Sequence, residues 1–185
     1  MQRRRQQNTS QKKTSTGFIR IISGLWRGRK LPVHDAEGLR PTTDRVKETV
    51  FNWLAQDVPQ AKCLDLFAGS GGLGFEALSR GAKSVTFIEL NKAAAQQLNA
   101  NKTLLKASNI EILSANAIDF LKKNQQEFSL VFIDPPFRKG LAQQAAEVLS
   151  QQGLSENALI YVEMEVDNNS QVMPSHWQLL KEKVA

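Results

Sequence analysis

The sequence has little material for covalent or metal cross-links and no segment that could cross a membrane. It contains one cysteine, Cys63, and two histidines in 185 residues, so an internal disulfide is excluded and a structural zinc site lacks its ligands. No run approaches the roughly 20 apolar residues that a transmembrane helix needs. Residues 1–13 contain no apolar segment of the kind that secretory signals carry. With 41% hydrophobic residues, the chain is expected to be a cytoplasmic protein with a hydrophobic core.

Acidic residues are absent from the first 30 positions. That segment carries nine Lys and Arg residues, whereas the other 155 positions carry fifteen Lys and Arg against eighteen Asp and Glu. The net positive charge of the chain therefore comes from an N-terminal arm, because the rest of the chain has a small net negative charge. A basic arm on a nearly neutral body is typical of a protein that binds a polyanion. For residues 1–16 alone, a solvated tail that aids solubility is an equally good interpretation.

The second part of the arm has the pattern of a β-hairpin. Residues 18–22 and 30–33 are mainly apolar, and they enclose residues 23–29, which contain two glycines. Cations next to a tryptophan suit contacts with phosphates and stacking on the bases of single-stranded or looped RNA. The candidates for RNA contact are Arg20, Trp26, Arg27, Arg29 and Lys30.

Beyond residue 43 the pattern alternates between helices and strands. An amphipathic helix is predicted over 44–56, with Thr42 or Thr43 as its cap. Strands are predicted at 62–67, 84–89, 110–113, 128–133 and 158–163, and helices at 73–80, 92–106, 117–123 and 140–151. This alternation predicts an α/β fold with a doubly wound, mostly parallel sheet that binds its ligand beyond the carboxyl ends of the strands. Residues 177–184 are expected to form a sixth strand.

A glycine-rich loop follows the first strand of the predicted sheet. Gly69, Gly71 and Gly74 satisfy G-x-G-x-x-G, and glycines there permit a tight turn and close approach of a ligand to the backbone. Glu89 lies twenty residues after Gly69, at the end of the second strand. A carboxylate at that position can accept hydrogen bonds from both ribose hydroxyls of a nucleoside. The loop alone is only moderately specific, because dinucleotide-binding enzymes share it.

A second motif, Asp134-Pro135-Pro136-Phe137, ends the fourth strand at the same edge of the sheet. Consecutive prolines have no N–H to donate and restricted φ angles. The Asp134 carboxylate and the Pro135 carbonyl can therefore face a ligand as fixed acceptors, and Phe137 offers a flat apolar surface. This geometry suits a planar group with an NH₂, either the exocyclic amine of a nucleobase or an amide.

Together these motifs resemble the class I S-adenosylmethionine-dependent methyltransferases, which are Rossmann-like. The order of the basic hairpin, residues 40–46, the Leu64–Gly74 loop and residues 134–138 is similar to that of the bacterial RsmD family. Members of that family methylate the N2 amine of a guanine in 16S rRNA. The resemblance implies S-adenosylmethionine as cofactor and the small ribosomal subunit as partner. It divides the chain into a basic tail (1–16), an RNA-contacting hairpin (17–39) and a methyltransferase domain (40–185), with neither a metal nor a dimer expected.

The resemblance also implies roles for individual positions. The methionine part of the cofactor would lie against Asp65, Phe67, Gly69 and Gly71, the ribose against Glu89, and the adenine against Leu90, Asn116 and Ala117. Residues 40–43, with Arg40, Thr42 and Thr43, would close over the methionine end. The catalytic motif would be Asp134, Pro135, Pro136 and Phe137, and RNA contacts would extend to Arg45 and Arg138.

Other functions share parts of this pattern. A DNA adenine-N6 methyltransferase uses the same proline motif, but usually with an added DNA-reading region. A protein glutamine methyltransferase also needs an amide clamp, typically with Asn in place of Asp134. A non-catalytic RNA-binding assembly factor is a third alternative, although the intact Glu89, Gly69 and Asp134 argue against it. An NAD-dependent dehydrogenase is the least favoured, because the Asp-Pro-Pro-Phe motif has no role in hydride transfer.

Overall fold

The computed structural model describes residues 17–34, 42–136, 140–164 and 173–184. A hairpin of β1 (Phe18–Arg20) and β2 (Lys30–Pro32) precedes helix α1 (Asp44–Trp53). The following elements are β3 (Lys62–Asp65), α2 (Gly72–Ser79), β4 (Ser84–Glu89), α3 (Lys92–Leu105), β5 (Ile110–Ser114), α4 (Ala117–Lys123), β6 (Phe128–Ile133), α5 (Leu141–Leu149) and β7 (Leu154–Val162). Within the described ranges, no helix is both long and apolar enough to cross a membrane.

The main sheet confirms the predicted parallel α/β fold. Its order is β5-β4-β3-β6-β7, and each neighbouring pair is parallel. The chain runs outward from β3 to β5, then crosses back to place β6 on the other side of β3. The strand order therefore reverses between β3 and β6, and ligands of such sheets bind at the carboxyl ends of the strands beside that point.

The two faces of the sheet are covered by different helices. Cys63, Val85 and Phe132 belong to the core cluster that the hairpin, α1, α2 and α3 share. Leu64 and Val131, adjacent to them along the strands, belong to the cluster that α4 and α5 share. Successive side chains of a strand point to opposite faces, so strands that are apolar throughout require cover on both sides.

The N-terminal hairpin is confirmed and is part of the main core. Its strands are antiparallel, with Ile19 opposite Leu31. Both side chains are buried, as are those of Ile21 and Val33, and all four lie in the cluster that also contains α1 and α2. The hairpin is thus fixed to the main core through its apolar face, and its other face carries the cations.

The prediction of a sixth strand at residues 177–184 is wrong. This segment pairs with no strand in the described part of the chain. Its leucines Leu179 and Leu180 are 74% and 64% exposed, and only Trp177 packs against the core on the α4 and α5 face. A strand is stable only when its backbone groups have a partner, and the apolar spacing alone does not provide one.

Candidate active site

Four strands of the sheet have an acidic residue at their last position or directly after it, at one edge of the sheet. Asp65 ends β3 and Glu89 ends β4, while Asp134 and Glu163 directly follow β6 and β7. The glycine loop and the Asp-Pro-Pro motif therefore meet at the predicted edge, beside the point where the strand order reverses. Asp65 on β3 is aligned with Phe132 on β6, so Asp65 and Asp134 lie on neighbouring strands.

The glycine loop adopts a backbone that its glycines permit. Gly69 and Gly71 have φ angles of +50° and +79°, in the left-handed region. Gly74 serves packing instead, because a Cβ there would lie 2.3 Å from the ring of Phe87. The pattern thus combines a tight turn with close contact between α2 and β4.

Asp65 lies buried beneath this loop. Its Oδ2 accepts a hydrogen bond of 2.9 Å from the backbone N–H of Gly74, in the first turn of α2. Burial raises the pKa of Asp65 to about 7, the bond from Gly74 opposes the shift, and the charges of Asp134 and Glu89 add to it. The structure therefore shows Asp65 fixing the start of α2, and a cofactor contact stays a prediction.

Glu89 clamps the glycine loop to the end of β4. One carboxylate oxygen accepts the N–H of Gly69 and the other accepts the N–H of Asn91, both at 2.7 Å. A carboxylate has about four acceptor positions, so these bonds leave capacity for a ligand. Leu90, next along the chain, is 69% exposed, while Phe67 is half-buried and packs against the α4 and α5 face.

Asn116, expected at the adenine, is the N-cap of α4. Its Oδ1 accepts hydrogen bonds from the N–H groups of Ile118 and Asp119, at 2.9 and 3.1 Å. The carbonyl that could have accepted an adenine amino hydrogen is thus already engaged in capping. Ala117 is buried. Contact of this segment with adenine stays a prediction, with the backbone as the better candidate.

Asp134 is held by the segment that precedes α1. Its Oδ2 accepts a 3.2 Å hydrogen bond from the hydroxyl of Thr42. Burial raises the pKa of Asp134 to about 6, Glu163 raises it further, and the bond from Thr42 opposes the shift. Thr43 instead caps α1 through the N–H of Val46, at 3.3 Å. Of the two threonines, Thr42 therefore contacts the carboxylate of the Asp-Pro-Pro motif and Thr43 caps the helix.

Glu163 is a residue of this edge that the sequence reasoning missed. Its Oε2 accepts a 3.2 Å hydrogen bond from the hydroxyl of Tyr161. Burial, together with the charge of Glu163, raises the pKa of Tyr161. The rule that parallel strands end at one edge, applied to the fifth predicted strand, would have placed Glu163 beside Asp134.

The predicted RNA-binding cations lie on and beside the hairpin. Arg27, Arg29, Lys30 and Arg45 are exposed. Arg20, with a side chain that is 57% exposed, forms a 2.8 Å ion pair with Asp44 at the start of α1. Trp26 is half-buried and packs against the core cluster that the hairpin, α1, α2 and α3 share, the hairpin-side core. Part of its ring therefore contributes to folding.

The turn of the hairpin is fixed on the C-terminal end of α2 by a second residue that the sequence reasoning missed. The carboxylate of Glu76, which is fully buried, accepts the N–H groups of Ile22 and Ser23 at 2.8 and 3.0 Å. The Ser79 carbonyl accepts the N–H of Leu25 at 2.7 Å. The sequence signal for this contact was Glu76 itself, the one charged residue in the mainly apolar helix α2. Helix α2, about 12 Å long, runs from the glycine loop to this turn.

Several predicted positions lie outside the described residues. They are Arg40, Phe137, Arg138, the tail over 1–16 and the end of the hairpin region over 35–39. Pro135 is buried and Pro136 is exposed. Within the part of the chain that the structure covers, no three acidic, histidine or cysteine side chains form a group that could hold a metal.

Known proteins resemble the chain over most of its length. The profile of a family described as Conserved hypothetical protein 95 (Cons_hypoth95) matches residues 19–185. "Ribosomal RNA small subunit methyltransferase D" of Escherichia coli (strain K12) is 53% identical over 173 residues, which cover 93% of this chain and 87% of the relative. The protein of the same name from Haemophilus influenzae is 57% identical over 172 residues, with 90% and 89% coverage. A solved structure of a methyltransferase candidate, yhhF from Escherichia coli, matches with a TM-score of 0.85 at 52% identity, covering 91% of this chain and 93% of that one.

Proposed function

The chain belongs to the Cons_hypoth95 family, and from that premise we propose that it transfers a methyl group from S-adenosylmethionine to ribosomal RNA of the small subunit. The acceptor is the N2 amine of a guanine in 16S rRNA. The observation that carries this proposal is the Asp134 carboxylate, held by Thr42 at the edge where the glycine loop and Glu89 also lie. Two relatives that are more than half identical are named "Ribosomal RNA small subunit methyltransferase D".

The acceptor groups at this edge fit S-adenosylmethionine. The cofactor carries a sulfonium cation, an ammonium cation and a ribose diol. Asp65, Glu89 and Asp134 gather negative charge there, and their mutual repulsion contributes to the raised pKa of Asp65. A bound cation relieves such repulsion, whereas the pyrophosphate of a dinucleotide increases it. The charge of the edge therefore supports a methyltransferase over a dehydrogenase.

The residues that would hold the cofactor follow from this arrangement. Glu89 has acceptor capacity for the ribose, Leu90 offers an exposed apolar surface for the adenine, and the backbone of Gly69 and Gly71 borders the methionine end. S-adenosylmethionine, when bound, supplies an electrophilic methyl group.

Asp134 and Pro135 act on the amine that accepts this methyl group. The lone pair of guanine N2 is delocalised into the ring, which makes the nitrogen a weak nucleophile. Hydrogen bonds from its two N–H groups to the Asp134 carboxylate and the Pro135 carbonyl favour a pyramidal nitrogen with its lone pair available. Asp134 can then take the proton that the amine loses. Most of the acceleration is supplied by positioning and by the placement of charge.

Activity is expected to fall with acid through the titration of Asp134. With both substrates well below saturation, kcat/KM decreases as pH falls through about 6, because the protonated carboxyl group is a poorer acceptor. Folding responds in the opposite direction. The folded-state pKa values of Asp65 and Asp134 lie above the unfolded value of 3.8. These two carboxyl groups therefore stabilise the fold most below about pH 4, and this contribution is lost as pH rises through about 6 to 7. Activity that is flat from pH 5 to 8 would contradict the assigned role.

The hairpin cations are expected to bind RNA phosphates. A double Arg27→Ala and Arg29→Ala variant should weaken RNA binding and reduce the steepness of log affinity against log salt by about 1 to 2. The reason is that each phosphate contact that is lost lowers the number of counterions released when the protein binds RNA. The matched control is Lys122→Ala with Lys123→Ala, two exposed cations on the opposite face. Equal salt slopes in the two double variants would remove the hairpin from the RNA interface.

The class of acceptor is tested by offering three macromolecules in parallel. The protein is incubated with labelled S-adenosylmethionine and either small ribosomal subunits from cells that lack it, double-stranded DNA, or a whole-protein extract. The proposal predicts label only with the subunits, in material that ribonuclease releases. Label in DNA supports the adenine-N6 alternative, and label in protein supports the glutamine alternative. Cofactor binding without any transfer leaves a non-catalytic RNA-binding protein.

A further inference from the structure

Glu163 stands directly beside Asp134 in the sheet. Strands β6 and β7 are aligned with Ile133 opposite Val162, and the N–H of Glu163 donates to the Ile133 carbonyl at 2.9 Å. Phe132 and Tyr161, one position earlier, are also aligned, and both contact the hairpin-side core. Because side chains alternate between faces with a period of two, Asp134 and Glu163 project toward the hairpin side of the sheet.

Each of these two carboxylates is oriented by a hydroxyl group. Thr42 donates to Asp134 and Tyr161 donates to Glu163, both at 3.2 Å. Neighbouring strands lie about 4.8 Å apart, so the two acceptors stand side by side. Their repulsion contributes to the raised pKa of Asp134. The edge therefore holds two adjacent, positioned acceptors at a cost in electrostatic energy, which a ligand with two adjacent donors would recover.

Guanine is the standard base that carries such a pair of donors, because its N1–H lies next to its N2 amine. Adenine and cytosine instead place a ring-nitrogen lone pair next to their amine, and that lone pair would face a carboxylate. We propose that Glu163 accepts the N1–H of the guanine whose N2 amine is held by Asp134, and that it thereby selects guanine over adenine. This inference rests on the proposed function, since it concerns the same acceptor site.

The base 2-aminopurine separates recognition of N1–H from recognition of the amine. It keeps the N2 amine of guanine but has an unprotonated N1. Subunits are assembled with rRNA that carries either base at the position the wild-type protein methylates, and kcat/KM is measured for both. The wild-type protein is expected to prefer guanine strongly. In Glu163→Gln this preference should fall by about 10- to 100-fold, the range expected for a hydrogen bond to a charged group, mainly through slower reaction of guanine.

The controls distinguish recognition from folding. Glu156→Gln changes an exposed residue at the other end of β7 and should leave the preference unchanged. Glu163→Asp keeps the charge but shortens its reach, so it should also lose preference for guanine. The affinity for S-adenosylmethionine should be unchanged in all three variants. A general disturbance of this sheet edge would instead alter that affinity.

The outcomes separate the two proposals. An unaltered guanine preference in Glu163→Gln and Glu163→Asp, with wild-type methylation of guanine intact, overturns the role of Glu163 and leaves the proposed function standing. Absence of guanine methylation by the wild-type protein overturns the proposed function and this inference with it. A reduced preference with unchanged cofactor affinity supports both.

Discussion

Replacing Asp134 by Ala is expected to lower kcat by about 100- to 10,000-fold, the range for removal of a group that positions and deprotonates the reacting amine. The variant loses the acceptor that Thr42 holds at the end of β6. It should fold normally at pH 8, because the raised pKa of Asp134 shows that its ionised form is disfavoured in the folded protein. Single-turnover methyl transfer measures the loss.

Two controls define what this loss means. Cofactor affinity, measured by calorimetry, should remain within a few fold of wild type, because Asp134 acts on the amine. Asp134→Asn keeps one carbonyl acceptor without the charge, and we expect its activity to lie between those of the wild type and the Ala variant. An Ala variant that turns over at the wild-type rate would remove Asp134 from the mechanism.

Replacing Glu89 by Ala should weaken S-adenosylmethionine binding by about 100-fold or more, since each hydrogen bond to a charged group contributes about 1.5–3 kcal/mol. Two effects act in the same direction. The ribose loses its acceptor, and the backbone N–H groups of Gly69 and Asn91 lose the carboxylate that fixes the loop. Calorimetric titration with the cofactor gives the change in Kd.

Glu111→Ala is the matched control for this variant. Glu111 is exposed on the adjacent strand β5, so its removal changes the charge of the protein equally without touching the loop. Its cofactor affinity should equal that of the wild type. Equal affinities in the Glu89 and Glu111 variants would show that the ribose lies elsewhere and would contradict the assignment of this edge.

The elements that the sequence predicted to the residue are those with clear local signals. Strands β4 and β6 and helix α4 have the predicted bounds, because apolar segments there are bordered by glycine, asparagine or charged residues. The glycine loop and Asp134 also met at the predicted edge. Parallel α/β topology brings strand ends together, so the pattern of strands and helices was sufficient to predict that these two motifs lie at one edge.

The features that could not be predicted depend on partners far away in the chain. Glu76 bonds to residues 22 and 23, more than fifty positions earlier, and Thr42 reaches Asp134 across ninety-two. The expected strand at 177–184 required a neighbour that its own spacing does not supply. The side chain of Asn116 caps α4. An asparagine before a helix is an ordinary signal for its start, and the resemblance to the family gave no indication of this role.

The nucleoside that carries the transferred methyl group tests the central claim most directly. Small ribosomal subunits from cells lacking this protein are methylated with labelled S-adenosylmethionine, the rRNA is digested to nucleosides, and the labelled product is identified by chromatography and mass. We predict a single labelled species, N2-methylguanosine, with the wild-type protein and none with Asp134→Ala. Label in N6-methyladenosine, or in any nucleoside other than N2-methylguanosine, would contradict the proposed arrangement of Asp134 and the guanine amine.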